Sequence, residues 1–158
     1  MKLAGEIRVK APREKVFAAL RDARFFASCI EGVRDLKEID ATRYDAMLET
    51  RVAYLHFRFQ VLVELTRVEA PHALEARIEG TPLGVVGRLT AASRTTFSED
   101  GDGTAIHYDI ETALTGKLGA IGQPVLKSKA KQMEQQFCAR LRAAFEDAAP
   151  EKALTSTQ

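Results

Sequence analysis

The sequence predicts an α+β fold: a curved antiparallel sheet of about seven strands, with two short helices and one long C-terminal helix lying over a cavity. Three observations predict it. Apolar and polar residues alternate with a period of two between Val33 and Thr115, the signature of strands with one wet and one dry face. A first strand is followed at once by two short stretches of helical spacing, and after Gly116 apolar residues recur every three or four positions to the end of the core.

In chain order, residues 3–10 place Leu3, Gly5, Ile7 and Val9 on one side and Ala4, Glu6, Arg8 and Lys10 on the other. Pro12 stands where a first helical turn tolerates a missing N–H, and Val16, Phe17 and Leu20 follow at helical spacing. A second short helix, from about Ala23 to Cys29, carries Phe25 and Phe26 and stops near Gly32. Turn signals fall near Asp40-Ala41-Thr42, Ala70-Pro71-His72, Gly80-Thr81-Pro82 and Glu99-Asp100-Gly101-Asp102-Gly103, the last being the clearest hairpin tip. Leu118, Ile121, Val125, Leu126, Ala130, Met133, Phe137, Leu141 and Phe145 mark one face of the long helix, which Pro124 either begins or kinks. One domain is expected over residues 1–149, with 150–158 a loose tail that has nothing to bury.

Composition excludes several functions. Lys and Arg number 23 against 22 Asp and Glu, so no global field draws in a polyanion, and no nucleic-acid partner is expected. Cys29 and Cys138 have no Cys or His at a metal-ligand spacing, and no metal is expected. The N-terminus lacks the apolar run of a signal peptide, and no segment approaches the ~18–20 apolar residues of a membrane span, so a cytoplasmic protein is expected.

The alternation also assigns the wall beneath the long helix. Its dry register holds Tyr44, Ala46, Leu48, Thr50, Val52 and Tyr54, then Phe57, Phe59, Val61, Val63 and Leu65, then Leu74, Ala76 and Ile78. Leu89, Ala91, Ser93, Thr95 and Phe97 follow, then Ile106, Tyr108, Ile110 and Thr112. None of these is Asp, Glu, His, Lys or Arg, so the wall offers hydroxyls but no general acid or base of the usual kind. No catalytic residue is assigned. The residues expected to line an apolar ligand cavity are Phe26, Thr50, Phe59, Val61, Leu89, Ser93, Tyr108, Ile110, Leu126 and Met133.

A one-residue register slip would instead turn Arg43, Asp45, Met47, Glu49 and Arg51 inward. His56 and His107 fall on the wet register and His72 in a turn, the pattern of surface histidines. Gly80, Gly84 and Gly87 lack the Gly-Lys-Ser/Thr ending of a phosphate loop and read as a turn or strand bend. Lys117, Lys127, Lys129, Lys131, Arg140 and Arg142, diluted by Glu134, Glu146 and Asp147, read as a solvated helix face or as a docking surface for an acidic partner or a membrane.

Gly5, Pro12, Val16, Phe17, Leu20, Asp22, Ala23 and Cys29-Ile30-Glu31-Gly32 resemble the opening of the CoxG family, named for the G-subunit of carbon monoxide dehydrogenase. Gly116-Lys117-Leu118, Gly122, Lys131, Met133, Gln136 and Phe137 resemble its closing motif, so the resemblance spans about residues 1–147. It departs at Phe17, where the family commonly has Trp, and at Glu31, where it commonly has Pro. The resemblance implies the START-like (SRPBCC) helix-grip fold and a non-catalytic accessory of a molybdenum hydroxylase such as carbon monoxide dehydrogenase. It also implies peripheral contact with the inner membrane face and a quinone or other small apolar molecule, such as a lipid, bound in the cavity. No covalent cofactor is expected. The alternative reading is a cyclase or hydratase of the same fold acting on an aromatic or polyketide-like substrate, with Tyr108 and Ser93 or Thr50 as proton donors.

Overall fold

The computed structural model describes residues 1–146; the tail expected at 150–158 lies outside the described residues. Strand β1 (Lys2–Val9) leads into helices α1 (Arg13–Arg21) and α2 (Ala23–Ser28). Six strands follow: β2 (Val33–Glu38), β3 (Arg43–Val52), β4 (Leu55–Glu69), β5 (Ala73–Pro82), β6 (Gly87–Asp100) and β7 (Gly103–Gly116). A short 3₁₀ turn (Lys117–Ile121) then precedes the long helix α3 (Gln123–Glu146). The seven strands form one antiparallel sheet in the order β1-β7-β6-β5-β4-β3-β2, so the first strand closes on the last and every other neighbour is a hairpin partner.

The local chemistry explains the elements. Pro12 caps α1 with extended backbone, and its carbonyl accepts from the N–H groups of Lys15 and Val16. Asp22 ends α1 and caps α2, its carboxylate accepting from the Arg24 N–H at 2.9 Å. The wall of the sheet follows the alternation: Leu48 faces Phe59, Phe59 faces Pro82, Ala76 faces Ser93, and Ser93 faces Ile110. Directly opposed residues share a face, so the dry register is continuous across five strands. A register shift between Leu65 and Arg67 passes the inward position from Leu65 to Val68.

Two expectations are corrected and one open alternative is decided. Tyr54, assigned to the dry face, sits in the two-residue turn between β3 and β4 and is 97% exposed. That turn carries no Gly, Asn or Pro to announce it. The turn expected at Gly80-Thr81-Pro82 lies three residues later, at 83–86; those three residues instead complete β5, where Pro82 occupies the last position and needs no N–H partner beyond it. Finally, Pro124 begins α3 rather than kinking it. Gly122, at φ 100°, breaks the chain between the 3₁₀ turn and the helix, a conformation that costs a residue with a side chain.

Two separate clusters hold the fold together. The larger joins Ile7, Val9, Val16, Phe17, Leu74, Phe97, Ile106, Leu141 and Phe145, so it packs α1 and the C-terminal half of α3 against β1, β5, β6 and β7. Phe17 meets Phe97 edge to face at 5.2 Å. The smaller joins Val52, Phe57, Phe59 and Leu118, with Leu89 and Val125 against it, at the opposite end of the sheet.

Candidate functional site

Between the two clusters the sheet is not sealed. Thr50, Val61, Ile78, Leu89, Ser93, Thr95, Ile110 and Thr112 all face the helix yet are only half-buried. A helix seated against them would exclude water from them. The C-terminal half of α3 is so seated, with Leu141 1% and Phe145 8% exposed, whereas the residues of its N-terminal half from Gln123 to Gln136 are all half-buried or exposed. A cleft of about 840 Å³ lies between that half of α3 and the β3–β4 hairpin, and of these wall residues Thr50 alone lines it. Thr50, Val125 and Met133 line it, with Ser128, Gln132 and Gln136 from the helix and Glu31, Glu49, Arg51, His56 and Lys129 around it. That volume falls in the range of small-molecule sites.

Of the expected cavity residues, Thr50 and Met133 line the cleft. Phe59, Val61 and Leu89 belong to the smaller cluster and are not among the residues lining the cleft. Ser93 and Ile110 stand opposite one another on the wall between the clusters. Leu126 is half-buried on the first turn of α3, and Phe26 packs its ring on Phe137 at 5.1 Å, joining α2 to α3. Tyr108 packs at the edge of the larger cluster. The wall is uncharged where the alternation placed it, while the charged groups enter from the hairpin rim and the helix. At the outer edge of the sheet Glu38 shares the face of Tyr44, exposed and 3.6 Å from Arg24.

On α3 itself the Glu134 carboxylate turns toward the sheet, its side chain 15% exposed. The Tyr108 hydroxyl donates to its Oε2, and Lys131 lies 3.8 Å from its other oxygen. Burial first, and then the Glu134 carboxylate, pushes the Tyr108 phenol well above its usual range. Burial likewise raises the thiols of Cys29 and of Cys138, the latter beside Tyr108. Gly5 on β1 lies directly below: a Cβ there would come within 2.7 Å of the Tyr108 ring and 3.3 Å of the Glu134 carboxylate. By sequence Glu134 reads as a charge on a solvated helix face. The signal that would have found it is its position in the row Ala130, Glu134, Phe137, Leu141, Phe145, the buried stripe of the helix.

Tyr44 lies at the other end of β3 in a smaller hollow of about 280 Å³ shared with Asp22, Glu38 and Leu65, and burial pushes its phenol up to about 12. Among the described residues no group of three or more His, Cys, Asp or Glu is placed to hold a metal ion, and no helix is long and apolar enough to cross a membrane.

The model of the CoxG family, described as the G-subunit of carbon monoxide dehydrogenase, matches residues 5–145. A conserved protein of Geobacillus kaustophilus has a crystal structure that superposes with a TM-score of 0.84 at 23% identity, covering 94% of this chain and 97% of its own. A protein of Chromobacterium violaceum superposes with a TM-score of 0.69 at 16% identity, covering 92% and 96%. One of Rhizobium leguminosarum gives 0.69 at 11% identity, covering 93% and 95%. At these identities the likeness is one of fold, the helix-grip arrangement. A comparison with curated protein sequences finds no match.

Proposed function

The chain belongs to the CoxG family of carbon monoxide dehydrogenase, and from that premise we propose that it is a non-catalytic accessory protein that holds a small apolar ligand between its sheet and α3. The observation that carries this reading is the half-buried, uncharged wall beneath the unseated half of the helix. Burying such a wall against an apolar ligand yields about 25 cal/mol for each Å² removed from water. The ligand class we favour is an isoprenoid quinone or a lipid. Its apolar body would lie on Val61, Leu89 and Ile110, and the Thr50 and Ser93 hydroxyls would donate to its oxygens. Family membership supports a role beside a carbon monoxide dehydrogenase or similar molybdenum hydroxylase, linking that enzyme to the membrane.

Native mass spectrometry of the purified protein, followed by titration with quinones and phospholipids, tests this. A retained or saturably bound apolar ligand is expected, and Thr50→Trp, which narrows the cleft where Thr50 lines it, should weaken binding while the thermal melt stays cooperative. Absence of any apolar ligand at high micromolar concentration would overturn the reading.

The Tyr108–Glu134 pair is the one observation that favours an enzyme, a cyclase or hydratase. Its chemistry counts the other way: the phenol is held protonated far above neutral pH, and the carboxylate is engaged by that phenol and by Lys131. Turnover of an aromatic or polyketide-like substrate that is lost in Glu134→Gln would establish the enzymatic reading in place of the carrier.

A further inference from the structure

The cleft and the wall behind it differ in chemistry. Nine of the thirteen residues that line the cleft carry a polar or charged side chain, whereas the wall offers hydroxyls and hydrocarbon alone. Ser128, Gln132 and Gln136 stand four residues apart on α3, so they form one stripe along the side of the helix that fronts the cleft. Thr50 belongs to both surfaces, and Val125 and Met133 add hydrocarbon beside the stripe. A wholly apolar guest would strip water from these amides and this hydroxyl and return no hydrogen bond to them. A guest with a polar head and an apolar body suits both surfaces at once.

The charges of the lining select the head. Glu49 is already engaged, held by Arg34 and 3.5 Å from His56. Arg51 on β3 and Lys129 on α3 stand on the two walls of the cleft, both exposed, and among the described residues neither forms an ion pair. The Lys129 ammonium donates to the Gln132 side-chain carbonyl at 3.4 Å, which holds it over the stripe. Residues 50–60 and 112–133, which supply most of the two walls, contain six Lys and Arg and no Asp or Glu, although the whole chain is nearly neutral. Glu31, exposed at the edge of the cleft, is the opposing charge.

We propose that the cleft is the head-group site for an anionic amphiphile, a long-chain carboxylate or alkyl phosphate. The anion lies between Arg51 and Lys129, the Ser128 hydroxyl and the Gln132 and Gln136 amides donate to its oxygens, and its chain passes Thr50 and Met133 onto the uncharged wall. The Arg51 fork matches two oxygens of either head, and the Lys129 ammonium adds a point charge from the other side. An anion held by both cations also ties β3 to the half of α3 that the larger cluster leaves unseated. The placement of the chain rests on the ligand-holding function proposed above; that of the head stands on the residues of the cleft.

Isothermal titration of the full chain with decanoate, decyl phosphate and decanol, each below its micelle concentration, tests this, with acetate and inorganic phosphate as heads that lack a chain. Both decyl anions should bind about tenfold or more tighter than decanol, and about a hundredfold or more tighter than acetate and phosphate. Arg51→Gln/Lys129→Gln should remove the preference for the anions and leave the affinity for decanol unchanged. Glu31→Gln should raise the affinity for both anions by about twofold or more. Arg77→Gln/Arg94→Gln, on the convex face, should alter neither quantity, and circular dichroism melts should match wild type throughout.

Equal affinity for decanoate and decanol, or a preference that survives Arg51→Gln/Lys129→Gln, would overturn the proposal. So would acetate or phosphate binding as tightly as its decyl counterpart, the mark of a site for free anions. Quinone titration of the same samples separates the two claims: quinone binding without any preference for the decyl anions removes the head-group site alone, and failure of quinone, decanol and both decyl anions alike removes the ligand-holding function as well.

Discussion

Gly5 illustrates how one absent side chain sets a local arrangement, because the Tyr108 ring and the Glu134 carboxylate both occupy the space its Cβ would take. Gly5→Ala should therefore cost about 1–3 kcal/mol in a urea melt, and Gly5→Ala/Tyr108→Ala should cost less than the sum of the two single changes. Thr104, 0% exposed, donates from its hydroxyl to the Ala11 carbonyl at 2.7 Å and ties β7 to the start of α1. Thr104→Val leaves that buried carbonyl without its partner and should cost about 1–3 kcal/mol in the same assay. Tyr44 sets an alkaline limit. Its phenol ionises at the usual 10 in the unfolded chain but only at about 12 when folded, so the native state holds a proton that the unfolded state has lost. Stability is full below pH 10 and should fall by about 1.4 kcal/mol per unit between pH 10 and 12, a loss that Tyr44→Phe should reduce in melts recorded across that window. The inward register of Tyr44, Ser93 and Tyr108 was legible because alternation fixes which face a strand residue takes. Glu134 was not, since a charge in an apolar helical row declares its partner only once the opposing strand is in place.

Helix α3 has two halves of different standing. From Phe137 onward it is fixed by the larger cluster and by the Phe26 and Phe25 rings, the latter 5.9 Å from Phe145. From Gln123 to about Gln132 it has Val125 against the smaller cluster and otherwise fronts the cleft. Leu141→Ala should accordingly cost about 2–5 kcal/mol, and Val125→Ala less than half of that. In native-state hydrogen exchange, amides of 125–132 should exchange faster than those of 137–144, and equal protection along the helix would refute this division. The helix itself was legible from its period, and its start only in part, because Pro124 fits both a first turn and a kink. The β3–β4 turn was invisible for a related reason. Ala53 adopts a left-handed φ of 56° without any of the residue types that favour it, so the hairpin closes on sheet register rather than on turn chemistry.

The fold as a whole was readable because its three patterns agree: a first strand followed by two short helices, alternation from Val33 to Thr115, and one amphipathic helix to cover the sheet; the pairing of the first strand with the last came from the structure. The extent of the cleft was not, since apolar periodicity is the same whether a helix lies on a sheet or stands off it. The two core clusters carry a consequence for measurement. A ligand bound as proposed would associate with the folded chain and not with the unfolded one, and so would behave as a component of folding. By mass action such a molecule raises the unfolding free energy by RT ln(1 + [L]/Kd), about 2.7 kcal/mol at a hundredfold excess over Kd. Midpoint temperature should climb with the logarithm of its concentration, and a panel of apolar compounds ranked by that climb would serve as a titration without any spectroscopic label, in a chain that has no Trp to report one.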